Sequence, residues 1–161
     1  MKICLPLVAA ILSPLPALAN CIPPWKTQFA CSVSGGVARA EFCRIPDTAK
    51  YPGKKEAYYT YAVGHDEAEL YFETDKTYFS TKDTNMDHPT DMTMAIGYGR
   101  GQYVYAFVTT EDRRDPGRIR NAEVRVYSSV DAFSNDKKDT EAVKLICDAS
   151  SIIADIDSIR P

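Results

Sequence analysis

Two alternating runs, residues 97–110 and 121–130, do most to narrow what this chain can fold into. In the first, Tyr103, Tyr105 and Phe107 fall on one face of an extended chain and Val104, Ala106 and Val108 on the other, because successive strand side chains point to opposite sides. Both faces are apolar. In the second run Ala122, Val124 and Val126 alternate with Glu123, Arg125 and Tyr127, so one face is buried and the other wetted, as is common in antiparallel sheets. The pair is read as a central antiparallel hairpin.

The remaining segments extend the same pattern. Pro23 and Pro24 make a stiff lead-in to Trp25, since each proline fixes its own φ and biases its predecessor away from helix. Trp25, the only tryptophan, is expected as a core plug or a lid on the sheet. Strands are expected near 28–34 and 37–44, turning at Gly35-Gly36, where positive φ is needed. Further strands are expected at 56–63, at 67–73 across the turn Gly64-His65-Asp66, at 77–80 as a short edge, and at 141–147. Residues 81–92 read as a polar loop, and 131–139 as either a loop or a frayed helical turn. Ile152, Ile153, Ile156 and Ile159 share one side of a helix that Asp148 or Ser150 could cap. The fold expected is all-β: a twisted antiparallel sheet or small sandwich with one short C-terminal helix, stapled by disulfides.

The first 19 residues read as a secretory signal peptide. Lys2 supplies the positive charge, 3–12 a short apolar core, and Ala17-Leu18-Ala19 the small-residue cleavage site. The run is too short and too broken by proline to span a bilayer, which takes about 20 apolar residues. Cleavage after Ala19 takes 19 residues from 161 and leaves 142 as one β-rich unit, 20–161, within the size range of a single domain. Lys2 leaves as well, so 18 basic residues face 22 acidic ones and the net charge becomes −4. A mildly acidic chain lacks the basic footprint that nucleic acid requires. The product is expected in the periplasm or the medium.

Four cysteines remain, Cys21, Cys31, Cys43 and Cys147. An even number in an exported chain implies two disulfides formed in an oxidising compartment. Three connectivities are possible. A hairpin turning at Gly35-Gly36 places Cys31 opposite Ala40 and Cys43 opposite Gln28, on opposite faces. A Cys31–Cys43 bridge would need Cα atoms within about 7 Å, so each is expected to reach outside the hairpin, one of them to Cys147.

The succession Phe29-Ala30-Cys31, Gly36, Phe42-Cys43, Tyr59-Thr60-Tyr61, Gly97-Tyr98-Gly99-Arg100, Val126-Tyr127-Ser128-Ser129-Val130-Asp131 and Leu145-Ile146-Cys147 resembles a loose family of small uncharacterised exported β-rich proteins of Gram-negative bacteria. In outline it is also similar to the periplasmic lysozyme inhibitors, disulfide-stapled all-β proteins that plug a muramidase cleft with a loop. The resemblance implies an all-β fold and a protein partner. No residue role is carried over from it.

Several constellations bear on chemistry. Asp83-Thr84-Asn85-Met86-Asp87 opens like a calcium loop, but His88 stands where the turn needs glycine and Met94 where a bidentate Glu is required. His65 beside Asp66 and His88 beside Asp87 do not specify a nucleophilic triad. Neither zinc-ligand spacing nor a Gly-x-Ser-x-Gly elbow occurs. Gly97-Tyr98-Gly99-Arg100-Gly101 runs into an alternating strand instead of a helix N-terminus, so it is read as a bulge or tight strand entry rather than a phosphate cradle. No metal or cofactor is expected, and no enzymatic activity.

Two features remain for recognition. Arg100 could point outward from its glycine run. The charged loop 111–120 joins the two central strands and offers Arg113, Arg114, Arg118 and Arg120 around Pro116-Gly117. A loop held at both ends by strands presents its side chains accessibly, and guanidinium forks suit carboxylates on a partner. The leading expectation is a protein-binding module, an inhibitor or immunity protein against a cell-wall-degrading hydrolase. The second is an envelope structural or small-ligand-binding protein. A hydrolase comes third, because the carboxylate separation of about 5 to 9 Å that glycoside hydrolysis needs is spatial and cannot be read from sequence.

Overall fold

The computed structural model describes residues 21–64, 67–83, 91–112, 114–115, 118–135 and 141–155. Ten antiparallel strands form two five-stranded sheets. The first sheet contains β1 (Lys26–Val33), β2 (Ala38–Arg44), β3 (Ala57–Val63), β4 (Leu70–Thr74) and β10 (Ile153–Ala154), in the order β10-β1-β2-β3-β4. The second contains β5 (Thr77–Asp83), β6 (Asp91–Arg100), β7 (Tyr103–Asp112), β8 (Ile119–Tyr127) and β9 (Glu141–Ile146), in sequence order. The expected central hairpin is β7 and β8, with Phe107 opposite Val124 and Tyr105 opposite Val126.

β7 is apolar on both faces because both are covered. Phe107 faces the first sheet and stacks on Phe29 at 4.2 Å, while Phe42 packs edge-on against it at 5.8 Å. Offset and edge-to-face contacts of this kind suit the ring quadrupoles. Tyr98 completes the cluster, and its buried hydroxyl donates to Gln28 Oε1 at 2.7 Å. On the far side Val104, Ala106 and Val108 pack with Tyr127 and with Ala132 and Phe133 of the helix α1 (Val130–Ser134). Ser129 caps α1, its hydroxyl accepting from the Ala132 amide at 3.0 Å.

Four expectations need correction. The C-terminal helix over 150–159 is absent from the described part of that segment, where a 3₁₀ turn (Ala149–Ser151) leads into β10. The edge of β1 offers ladder bonds that a helix would forfeit: Phe29 pairs with Ala154 and Ala30 with Ile153, and the Asp155 amide donates to Gln28 O at 2.9 Å. The β-branched isoleucines favour that extended state. The short α-helix instead occupies 130–134, where sequence left loop and helical turn open.

Second, of the two readings of the glycine run the bulge does not form: Gly97 and Gly99 lie in a full strand, β6, and the tight entry into β7 is the turn that places Gly101 at φ +61°. Gly97 and Gly99 serve close approach: a Cβ at Gly97 would lie 2.5 Å from Val104 Cγ1 and 3.2 Å from Phe133, and one at Gly99 2.9 Å from Lys76 Cβ. Third, the charged loop is shorter than 111–120, since Glu111 and Asp112 belong to β7 and Ile119 and Arg120 to β8. Fourth, Cys43 faces Thr27 rather than Gln28, because the register slips between Thr27 and Phe29. Cys31 faces Ala40 as expected.

The disulfides join Cys31 to Cys147 and Cys21 to Cys43, with Cα atoms 5.6 and 5.9 Å apart. Cys31 lies in the core between the sheets. Cys43 joins a second cluster with Trp25, Ile45 and Tyr58. Trp25 is the buried plug of that cluster, its indole N–H donating to Lys55 O at 3.1 Å. Two such bridges suit an oxidising, non-cytoplasmic compartment. No helix among the described residues is long and apolar enough to cross a membrane.

Candidate functional site: an apolar cleft between the sheets

The core between the sheets does not close everywhere. An open cleft of about 430 Å³ is lined by Tyr59 and Tyr61 of β3, Leu70 of β4, Tyr103 and Tyr105 of β7, Val124 and Val126 of β8, and Val143 and Leu145 of β9. Each pair is spaced by two residues, so strand periodicity alone turns both members to the inner face. The volume is within the range of small-molecule sites, about 300 to 1,000 Å³. The lining offers apolar surface and phenol hydroxyls but no carboxylate, imidazole or thiol.

The rings form a continuous wall: Tyr59 lies 5.3 Å from Tyr105 and 5.6 Å from Phe72, and Phe72 lies 5.0 Å from Tyr105. The Arg100 guanidinium sits over the Phe72 ring, 5.6 Å from its centre, a cation–π contact. Arg100 pairs with Tyr103 across the β6–β7 turn, so the two side chains share a face at the rim of the cleft. Arg100 is exposed. No carboxylate pairs with it among the described residues.

Three tyrosines outside the cleft have committed hydroxyls. That of Tyr98 donates to Gln28, that of Tyr71 donates to Glu73, and that of Tyr58 accepts from the Ile22 amide. By contrast, the hydroxyls of Tyr59, Tyr61, Tyr103 and Tyr105 have no hydrogen-bond partner among the described residues. Burial, and then the neighbouring Tyr105 and Tyr61, push the Tyr59 phenol above its usual range, which keeps it a neutral donor.

The arginine loop is arranged differently. Arg114 grips Asp112 with Nε 3.2 Å from Oδ1 and Nη2 3.3 Å from Oδ2. Arg120 reaches the same carboxylate at 2.5 Å and Asp91 at 3.2 Å. Asp112 is only 6% exposed, and hydrogen bonds from Arg114 and then Arg120 hold its carboxyl well below the usual range. Arg118 lies 4.0 Å from Asp115, both exposed, a pair of little energetic weight. Arg113 lies outside the described residues, as do His65, Asp66 and residues 84–90 of the calcium-like segment. Of the five arginines considered for binding, the structure thus brings Arg114 and Arg120 together on one acid and sets Arg100 apart, beside the cleft.

A second, polar hollow of about 370 Å³ lies beside Lys26, Gln28, Arg44 and Asp155, but Glu56 already engages Arg44 at 2.8 Å. Cys21, Cys43 and Glu41 lie close enough together to suggest a metal site, yet the two sulfurs are joined to each other and supply no thiolate.

Sequence reasoning placed Tyr103 and Tyr105 on one strand face and Tyr59 and Tyr61 on another strand, but not as a site. The available signal was chemical: tyrosine recurs at inward positions where phenylalanine would pack as well without leaving a hydroxyl to satisfy. Comparison with protein families, with characterised proteins and with solved structures finds no match to this chain.

Proposed function

We propose that this protein is a ligand-binding module of the cell envelope or the medium, which holds a small apolar-bodied molecule between its two sheets. One observation carries the reading. Four tyrosines line an open apolar cleft with hydroxyls that nothing among the described residues engages. Convergent apolar walls with a few free polar atoms are the ordinary composition of small-molecule sites. The signal-like N-terminus and the disulfides support a periplasmic or secreted placement. Titration calorimetry with decanol tests the reading: saturable binding is expected, abolished by Val126→Asp, which puts a charge on the cleft wall. Failure of decanol and of its anionic and cationic analogues alike to bind would overturn it.

A second reading, a protein partner such as a cell-wall-degrading hydrolase, is favoured by the edge strand β9. Val143 and Ile146 are 44% and 67% exposed there, and an edge with free ladder groups is a template for strand addition. An inhibitor or immunity protein of this kind would set β9 against its target and fill the cleft with a side chain from it. The test is a muramidase assay: stoichiometric loss of activity, reversed by Ile146→Lys, supports this reading, and undiminished activity removes it.

A further inference from the structure

We infer that the ligand carries an anionic head, and that Arg100 at the rim of the cleft is the group that selects it. The inference rests on the ligand-binding reading and specifies its chemistry. The cleft wall is uncharged, so the body of the ligand is apolar. The charge complement has to come from the rim.

Arg100 is suited to that role by position and by lack of other employment. β6 carries Ile96, Tyr98 and Arg100 on one face, and the first two are buried in the core between the sheets. The third position of the series therefore leaves the core on the same side, beside its pair Tyr103, which lines the cleft. Phe72 supports the guanidinium from below. Stacking on a ring fixes the plane of the fork while leaving its N–H groups free to donate. Other arginines are occupied: Arg44 holds Glu56, Arg114 and Arg120 hold Asp112, and Arg125 holds Glu123. Arg100 has an aromatic support and, among the described residues, no acid.

A carboxylate at the rim would accept a forked pair of hydrogen bonds from Arg100, and the free hydroxyl of Tyr103 could donate to the same group. Behind it an acyl or aryl body would lie against Tyr59, Tyr105 and Leu70. The ligand class is thus a small amphiphile, an apolar tail ending in a carboxylate or comparable anion.

The test compares decanoate, decanol and decyltrimethylammonium by titration calorimetry, on the wild-type protein and on Arg100→Gln and Arg100→Lys. Decanoate should bind roughly 10- to 100-fold more tightly than decanol, the worth of a charge-assisted hydrogen bond. Arg100→Gln should erase that preference while leaving decanol affinity and melting temperature unchanged, and Arg100→Lys should keep part of it. Equal affinity for decanoate and decanol would overturn the anionic head and leave the cleft reading standing, as would a preference for the ammonium amphiphile. A decanoate preference that survives Arg100→Gln would overturn the role of Arg100. Failure of all three amphiphiles to bind would overturn the cleft reading and this inference together.

Discussion

The two ends of β7 carry the two surfaces on which recognition could rest, and they differ in what their polar atoms are doing. At Asp112 the charges are already spent on one another, with two guanidinium groups on one nearly buried carboxylate. Seven residues away at Tyr105, roughly 23 Å along the strand, the surface is apolar and no described residue engages the phenol hydroxyls. The density of charge in a sequence therefore says little about a site, because neighbouring ions satisfy each other locally. An unengaged polar atom on an apolar wall says more. A hydroxyl on such a wall is reachable from the open cleft, so a ligand's complementary group can engage it.

Both ends depend on a closed centre, so the largest effects should come from opening it. In the chain-entropy account a bridge closing a loop of 116 residues, Cys31 to Cys147, is worth about 5 kcal/mol. One closing 22, Cys21 to Cys43, is worth about 3 kcal/mol. Replacing each pair by alanine and measuring denaturant midpoints checks the ranking, and thiol titration of the denatured wild type should find none of these four cysteines reactive. Phe107→Ala should cost about 3 to 5 kcal/mol, since it removes the ring that meets both Phe29 and Phe42. Tyr103→Ala, four residues along the same face and 41% exposed, should stay within about 0.5 kcal/mol. If the two substitutions cost the same, the tyrosine end is core and the cleft is no site.

This gradient along one strand face marks how far the sequence could be read. Alternation identified β7 and β8 and their pairing, and the glycine pair gave the β1–β2 turn. The cysteine argument excluded a bridge within that hairpin, because facing positions follow from a period of two. What escaped was whatever tertiary contacts decide. Ile153 and Ala154 have a helical neighbourhood in sequence, but the vacant edge of β1 takes them as a strand. Gly97 reads in sequence as part of a bulge or tight strand entry and is instead a contact position, with Phe133 of α1 lying on it. Gly97→Ala should accordingly cost about 1 to 3 kcal/mol by overpacking, read from the thermal midpoint. The cleft escaped for a related reason: periodicity gives the face a side chain is on, but not whether the opposite sheet comes close enough to cover it.

The arginine end allows a direct reversal of the expectation that sequence favours. A loop that exists for recognition should lose its arginines without loss of stability. Here, replacing Arg113, Arg114, Arg118 and Arg120 together by alanine strips Asp112 of both its guanidinium partners, so the melting temperature should fall. Arg118→Ala alone should leave it unchanged, because its partner Asp115 is exposed. A quadruple variant as stable as wild type would return the loop to the list of binding surfaces.

The smallest effect expected is an acid limb that belongs to one end only. The folded Asp112 carboxyl titrates below its ordinary range, held there by Arg114 and Arg120. A group depressed in this way stabilises the fold fully above the ordinary carboxylate value of about 3.9, and loses that contribution as pH falls toward the folded value. Asp112→Asn removes the titrating group while keeping its shape. Its melting temperature should lie below wild type at neutral pH, and the two curves should approach each other as pH falls below about 4. Decanol binding at the other end should not follow this limb: Tyr59 is pushed above its usual phenol range by burial and keeps its proton throughout. An acid limb identical in wild type and Asp112→Asn would mean that the arginines hold this carboxylate no better than water does, and the contrast between the two ends of β7 would be lost.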